Sequence, residues 1–119
     1  MLKEAQRLRS NGDFKKVYLQ GKGVRGQFLV LRFIKSDRKE TRFGLAPARK
    51  IKNAVLRNRL KRRMREICRA HQNIIKKNYD IVINISSAAV DAQFEQLESD
   101  FLYVMGKAGL LEVEFREKK

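Results

Sequence analysis

One cysteine, one histidine, one proline and no tryptophan occur in this chain of 119 residues. The lone cysteine, Cys68, excludes an intrachain disulfide and fits a reducing compartment. The lone histidine, His71, leaves no His pair for acid–base chemistry. Cys68 and His71 stand three residues apart and offer half a metal site with no second half in view; a lone helical cysteine is ordinarily a small core residue. Carboxylates are also scarce where they would matter: residues 1–79 contain 5 Asp/Glu, and these are scattered. Phosphodiester hydrolysis by a protein alone normally needs clustered carboxylates around metal ions. A self-sufficient RNA-modifying enzyme is therefore disfavoured, and no cofactor or metal is expected on the protein. No apolar run approaches the length of a membrane span. The segment Met1-Leu2-Lys3-Glu4-Ala5 lacks an apolar h-region, so no secretory signal is expected and the cytoplasm is the expected location.

Positive charge is what the chain has in excess. The formal net charge is +15 and the pI about 10.5. Residues 1–79 hold 24 Lys/Arg against 5 Asp/Glu, whereas residues 80–119 hold 4 against 8. An even solubilising surface would not divide this way; one side faces a polyanion. The Trp-rich amphipathic pattern of an interfacial helix is missing, so nucleic acid is the expected partner and a membrane is not. Length and a hydrophobic content of 43% fit one compact domain over residues 1–119.

Residues 1–10 are basic and aperiodic, which predicts an extended arm. Asn11 is a candidate cap for a helix through about Gln20, with Phe14, Val17 and Tyr18 on one face. Gly21 is its stop, and Gly21, Gly23 and Gly26 predict a mobile loop. Phe28 to Lys35 reads as a central strand, apolar on both faces. Thr41 to Pro47 reads as a second strand with one large apolar face (Phe43, Leu45) and one small face (Gly44, Ala46), ended by Pro47 or placed on an edge. Asn53 to Ala70 predicts a strongly amphipathic helix whose apolar arc is Leu56, Leu60, Met64 and Ile67. Tyr79 to Ile85 is a third strand, Ser87 to Asp91 a turn, and Phe94 to Ala108 a last helix stopped near Gly109. Leu111, Val113 and Phe115 alternate as a possible final strand. Phe28, Phe33, Phe43, Phe94 and Phe101 are assigned to the core. The expected architecture is a single α+β sandwich in the order α-β-β-α-β-α, with that optional last β.

Between Thr41 and Arg65 lie ten Lys/Arg and no Asp/Glu. Helical phasing puts Asn58, Lys61, Arg62, Arg65 and Arg69 opposite the apolar arc, with Arg57 and Arg59 at its flanks. An ordinary solvated helix face alternates charge at i, i+4, and this one has only Glu66. Such density needs compensation, which a phosphate backbone supplies by counterion release. Phe14 and Tyr18, beside Lys15 and Lys16, fit either a stacking platform for single-stranded RNA or plain core packing. A structural RNA-binding protein shares the charge and size. A helix-turn-helix DNA binder would want a helix where residues 41–51 read as strand and turn, so DNA is not expected.

The run Ala54-Val55-Leu56-Arg57-Asn58-Arg59-Leu60-Lys61-Arg62-Arg63-Met64-Arg65-Glu66 resembles the RNR signature of the bacterial ribonuclease P protein family, AVxRNRxKRxxRE, with every fixed position matched. Arg42-Phe43-Gly44-Leu45 followed by Arg49-Lys50-Ile51, Asp13-Phe14 with Val17, Tyr18 and Gly21, and Tyr79-Asp80-Ile81-Val82-Ile83 resemble its flanking segments, so the likeness runs from about residue 8 to 108. Departures fall at Pro47, Ala48 and Lys52, in the turn before the signature, and at Leu31, near which the family tends to carry an aromatic. The resemblance implies a left-handed βαβ crossover through the RNR helix, against the usual hand. It implies a non-catalytic subunit of an endoribonuclease that removes the 5′ leader of precursor tRNA, the chemistry belonging to a catalytic RNA and its Mg²⁺. It implies that Lys50, Asn53, Arg57, Asn58, Arg59, Lys61, Arg62, Arg65 and Arg69 bind the catalytic RNA. It further implies that Phe14, Lys15, Tyr18 and Leu31, with Arg57 and Asn58 shared, bind the leader.

Overall fold

The computed structural model describes residues 3–112. Chain order is α1 (Asn11–Gln20), β1 (Lys22–Arg25), β2 (Leu29–Lys35), β3 (Arg42–Pro47), α2 (Ala54–Ala70), β4 (Tyr79–Ile85) and α3 (Phe94–Lys107), with a 3₁₀ turn at Ser87–Asp91. The strands form one sheet ordered β1-β2-β4-β3. β1–β2 and β2–β4 are antiparallel; β3–β4 is parallel and joined through α2.

The expected α+β sandwich is present, with one strand more than the sequence suggested. The glycine-marked stretch after α1 is β1, not a loop, with Gly23 opposite Arg32 and Val24 opposite Leu31. Three glycines in six residues hide its β signal, and pairing with β2 overrides propensity. Gly21 ends α1 where a Cβ would stand 2.5 Å from the Val17 carbonyl oxygen and 2.7 Å from that of Phe33. The cap of α1 is Ser10 rather than Asn11: the Ser10 hydroxyl accepts from the Asp13 N–H at 3.0 Å. Nor do residues 3–10 form a free arm. Glu4–Gln6 forms a 3₁₀ turn, Arg7 bridges Phe43 in parallel, and buried Leu8 donates its N–H to the Phe43 carbonyl at 2.9 Å. Of the optional last strand, Leu111 bridges Ile75, and Val113 and Phe115 lie outside the described residues.

Alternation along the strands divides the sheet into two faces. Leu29 and Leu31 of β2, Phe43 of β3, and Ile81, Ile83 and Ile85 of β4 form the main core with Leu60, Met64 and Ile67 of α2 and Leu97, Phe101, Val104 and Met105 of α3. Phe28 and Phe101 are buried there, with Phe33 and Phe94 at its margin. The opposite face carries a smaller cluster, Leu8, Val17 and Val82 with Phe14, Ile34 and Ala46, under α1. α1 covers only part of that face. Gly44 is what lets it sit so close, since a Cβ there would come 2.5 Å from the Phe14 ring.

Arg42 ties α1 to the sheet. Its Nε and one terminal nitrogen donate to the two Asp80 oxygens at 2.9 and 2.8 Å, and its other terminal nitrogen donates to Asp13 of α1 at 3.2 Å. The turn at Pro47, Ala48 and Lys52 closes without strain. The Ala48 N–H donates to the Ile85 carbonyl at 2.8 Å, Ile51 folds back onto Ala48 at 3.0 Å, and Lys52 keeps a negative φ.

Candidate RNA-binding surfaces

Asn53 caps α2, its side-chain oxygen accepting from the Val55 and Leu56 N–H groups at 2.8 and 3.2 Å. The cap oxygen is thus committed to the helix, which leaves the Asn53 amide nitrogen for any outside contact. With Leu60, Met64, Ile67 and Cys68 buried, Asn58, Arg62 and Arg69 are exposed and Arg57, Arg59, Lys61 and Arg65 half-buried on the remaining arc. Lys50 is exposed in the preceding turn. Among the described residues, none of these cations is paired with a carboxylate. Arg57 also acts within the fold. One of its guanidinium nitrogens donates to the carbonyls of Ala48 and Ile51 at 2.9 and 3.1 Å, holding the turn that launches the helix.

Lys61 and Arg65 run along α2 to a cavity of about 360 Å³ that Arg7, Leu8, Arg9, Phe14, Phe43 and Leu45 also line. Among the described residues, no acidic side chain lines it. Burial, and next the charge of Arg7, pull the Arg65 guanidinium below its usual value. The Arg7 Nε is buried without a hydrogen-bond partner. Cations held this near one another disfavour their own charged forms, and an anion between them relieves the repulsion.

The second surface is the uncovered part of the sheet beside α1. Phe14 is half-buried against Gly44, so it is partly core and partly cleft wall. Tyr18 is 38% exposed. Its hydroxyl accepts from the Asn84 amide at 2.8 Å, and the Arg32 guanidinium lies 5.8 Å from its ring centroid. Lys15 is exposed on the same helix. Leu31 does not belong here: it is 0% exposed, in the core under α2 and α3, on the other face of the sheet. The residue that β2 turns toward Tyr18 is Arg32, one position on. A run apolar on both faces conceals which parity faces the cleft; pairing with β4, where Arg32 stands opposite Val82, decides it. Asn84 likewise carries no signal in the sequence: β4 is an apolar strand with two strongly polar residues, Asp80 and Asn84, and only the fold shows that Asp80 meets Arg42 while Asn84 meets Tyr18.

Cys68 and His71 do not act as a pair. The Cys68 thiol is fully buried, which pushes its pKa up, and His71 Nε2 lies 2.8 Å from Glu98 Oε2 of α3. Among the described residues no group of three or more His, Cys, Asp or Glu could hold a metal ion.

The family model described as Ribonuclease P matches residues 2–109. The ribonuclease P protein component of Syntrophomonas wolfei is 36% identical over 110 residues, covering 92% of both chains. That of Symbiobacterium thermophilum is 38% identical over 114 residues, covering 95% of this chain and 99% of the relative. Among solved structures, the RNase P protein of Staphylococcus aureus matches with a TM-score of 0.83 at 29% identity, over 90% of this chain and 98% of that one. The RNase P protein of Thermotoga maritima matches with a TM-score of 0.78 at 30% identity, over 85% and 96%. Sequence match along nearly the whole chain and agreement of the fold converge on one conclusion, that this protein belongs to the bacterial ribonuclease P protein family.

Proposed function

We propose that the chain binds the catalytic RNA of ribonuclease P through α2 and the 5′ leader of precursor tRNA through the cleft beside α1, assisting removal of the leader while the RNA and its Mg²⁺ carry the chemistry in the cytoplasm. The observation that carries the reading is the contrast in chemistry between two surfaces, which adjoin at the cavity that Phe14, Lys61 and Arg65 line together. α2 presents cations that no described carboxylate neutralises, which suits the phosphates of a folded RNA. The α1 side presents Tyr18 and Phe14 beside Lys15 and Arg32, which suits unpaired bases. Arg57 and Asn58, at the start of α2, contribute to both. Because Arg57 also holds the turn, its replacement should affect both RNAs.

The test compares Tyr18→Ala with Arg65→Ala in the reconstituted holoenzyme. Tyr18→Ala should weaken substrates with long leaders about 5- to 150-fold, the loss of one stacking platform, and spare one-nucleotide leaders and catalytic-RNA binding. Arg65→Ala should weaken catalytic-RNA binding. Equal loss on long and short leaders from a folded Tyr18→Ala protein would overturn the cleft assignment.

A further inference from the structure

The strand register lays a row of side chains across the cleft floor: Arg25, Val30, Asn84 and Ala46 stand opposite one another on β1, β2, β4 and β3. Each recognises something different. Arg25 and nearby Arg32 attract any phosphate. Val30 and Ala46 are small and half-exposed, and pack under any base. Tyr18 stacks on any base, because every base has a π face. Val30, Ala46 and the Tyr18 ring do not distinguish one nucleotide from another; an arginine fork reads guanine where it meets a base edge, but Arg32 lies against the Tyr18 ring. Asn84 alone in the row carries a planar donor–acceptor pair.

That amide is held in place. One N–H of its Nδ2 goes to the Tyr18 hydroxyl at 2.8 Å, which ties the amide to the stacking ring. The second Nδ2 hydrogen and Oδ1 have no partner among the described residues. They offer one donor and one acceptor close to the ring on which a base would lie. An unpaired base displays an edge for such hydrogen bonding.

We infer that Asn84 reads the edge of one unpaired leader base stacked on Tyr18, and so makes the protein selective for base identity at that position. The inference rests on the leader-cleft reading. Selectivity of roughly 5- to 150-fold between best and worst base is the scale of a bidentate amide–base pair.

The experiment uses reconstituted holoenzyme and precursor tRNAs in which each leader position in turn carries each of the four bases, with a one-nucleotide leader as reference. Wild type should bind the multi-nucleotide leaders more tightly and prefer particular bases at one position. Asn84→Ala should keep the gain from leader length and lose the preference. Tyr18→Phe keeps the ring but frees the amide, so it should reduce the preference while retaining the length effect. Asn84→Asp reverses the chemistry. An ionised carboxylate only accepts, so adenine and cytosine, whose ring nitrogens need a donor, should lose ground to guanine with its adjacent N1–H and N2–H. If the wild type gains nothing from a longer leader, the cleft reading itself fails. If the length effect is present but base preference is absent, or is the same in wild type, Asn84→Ala and Asn84→Asp, the cleft stands and the role of Asn84 is overturned.

Discussion

Asp100 lies buried on α3 with its carboxylate aimed at the turn that enters β2. Its two oxygens accept from the backbone N–H groups of Gln27, Phe28 and Leu29 at 2.8, 2.8 and 3.0 Å. Gly26 makes room for it, since a Cβ there would stand 2.5 Å from an Asp100 oxygen. Asp100→Ala would strand the N–H donors of Phe28 and Leu29, which are buried, and should cost about 3 kcal/mol in a denaturant titration. Asp13 contributes differently. Partial burial pushes its carboxyl up, but the Ser10 hydrogen bond, the charge and hydrogen bond of Arg42 and the charge of Arg38 outweigh that and leave it below the usual range. A carboxyl lowered on folding stabilises the native state fully above its unfolded value, near 3.9, and stops doing so as pH falls through its folded value. Protection of the α1 amides against hydrogen exchange, taken relative to their intrinsic rates at each pH, should therefore fall below about pH 4, and Asp13→Asn should remove that component while the Arg42–Asp80 pair stays in place.

Among the elements, α2 is a helix that its own charges oppose. Ten of its 17 residues run from Arg57 to Glu66, and six of those ten are Lys or Arg. Like charges at i, i+4 destabilise an isolated helix by a few tenths of a kcal/mol each. Burial of Leu60, Met64 and Ile67, the Asn53 cap and the Arg57 clasp on the turn offset this repulsion and keep the cationic face presented. Binding of the catalytic RNA should in consequence depend steeply on salt. Arg65→Ala should lower the slope of log affinity against log salt by about one unit or slightly less, if Arg65 meets one phosphate. A wild-type affinity that stays flat from low to moderate salt would remove the electrostatic basis for the α2 interface.

Across the whole molecule the charge is divided between the two ends of the sequence. The basic 79 residues build α1, β1 to β3 and α2, the parts that form both candidate surfaces, while the acidic remainder builds β4 and α3, which mostly close the core. Within this arrangement the carboxylates that are buried are already engaged: Asp80 with Arg42, and Asp100 with three backbone donors. They are structural acceptors rather than a pair poised around a metal. RNA-free protein should accordingly release no 5′ leader from labelled precursor tRNA, with or without Mg²⁺, and should support cleavage once the catalytic RNA is added. Site-specific release by the protein alone would show chemistry that this distribution of carboxylates does not explain.

Periodicity and local chemistry were enough to place α1, α2, β2, β3, β4 and α3 within a residue or two, because the helices carry apolar arcs at the helical period and the strands are short β-rich runs bounded by polar or turn-forming residues. The basic arc of α2 was legible for the same reason: a helix of known phase fixes which side chains share a face. Local pattern alone therefore carries the elements, the charge division and the family-like motif. Whatever depends on pairing between distant segments had to wait for the folded chain. β1 exists because β2 pairs with it, not because Lys22-Gly23-Val24-Arg25 favours a strand. The N-terminal segment is docked because Leu8 finds the Phe43 carbonyl. The cleft contains Arg32 rather than Leu31, and gains Asn84, because a strand's two faces alternate at every residue and only its register against β4 says which of them α1 meets.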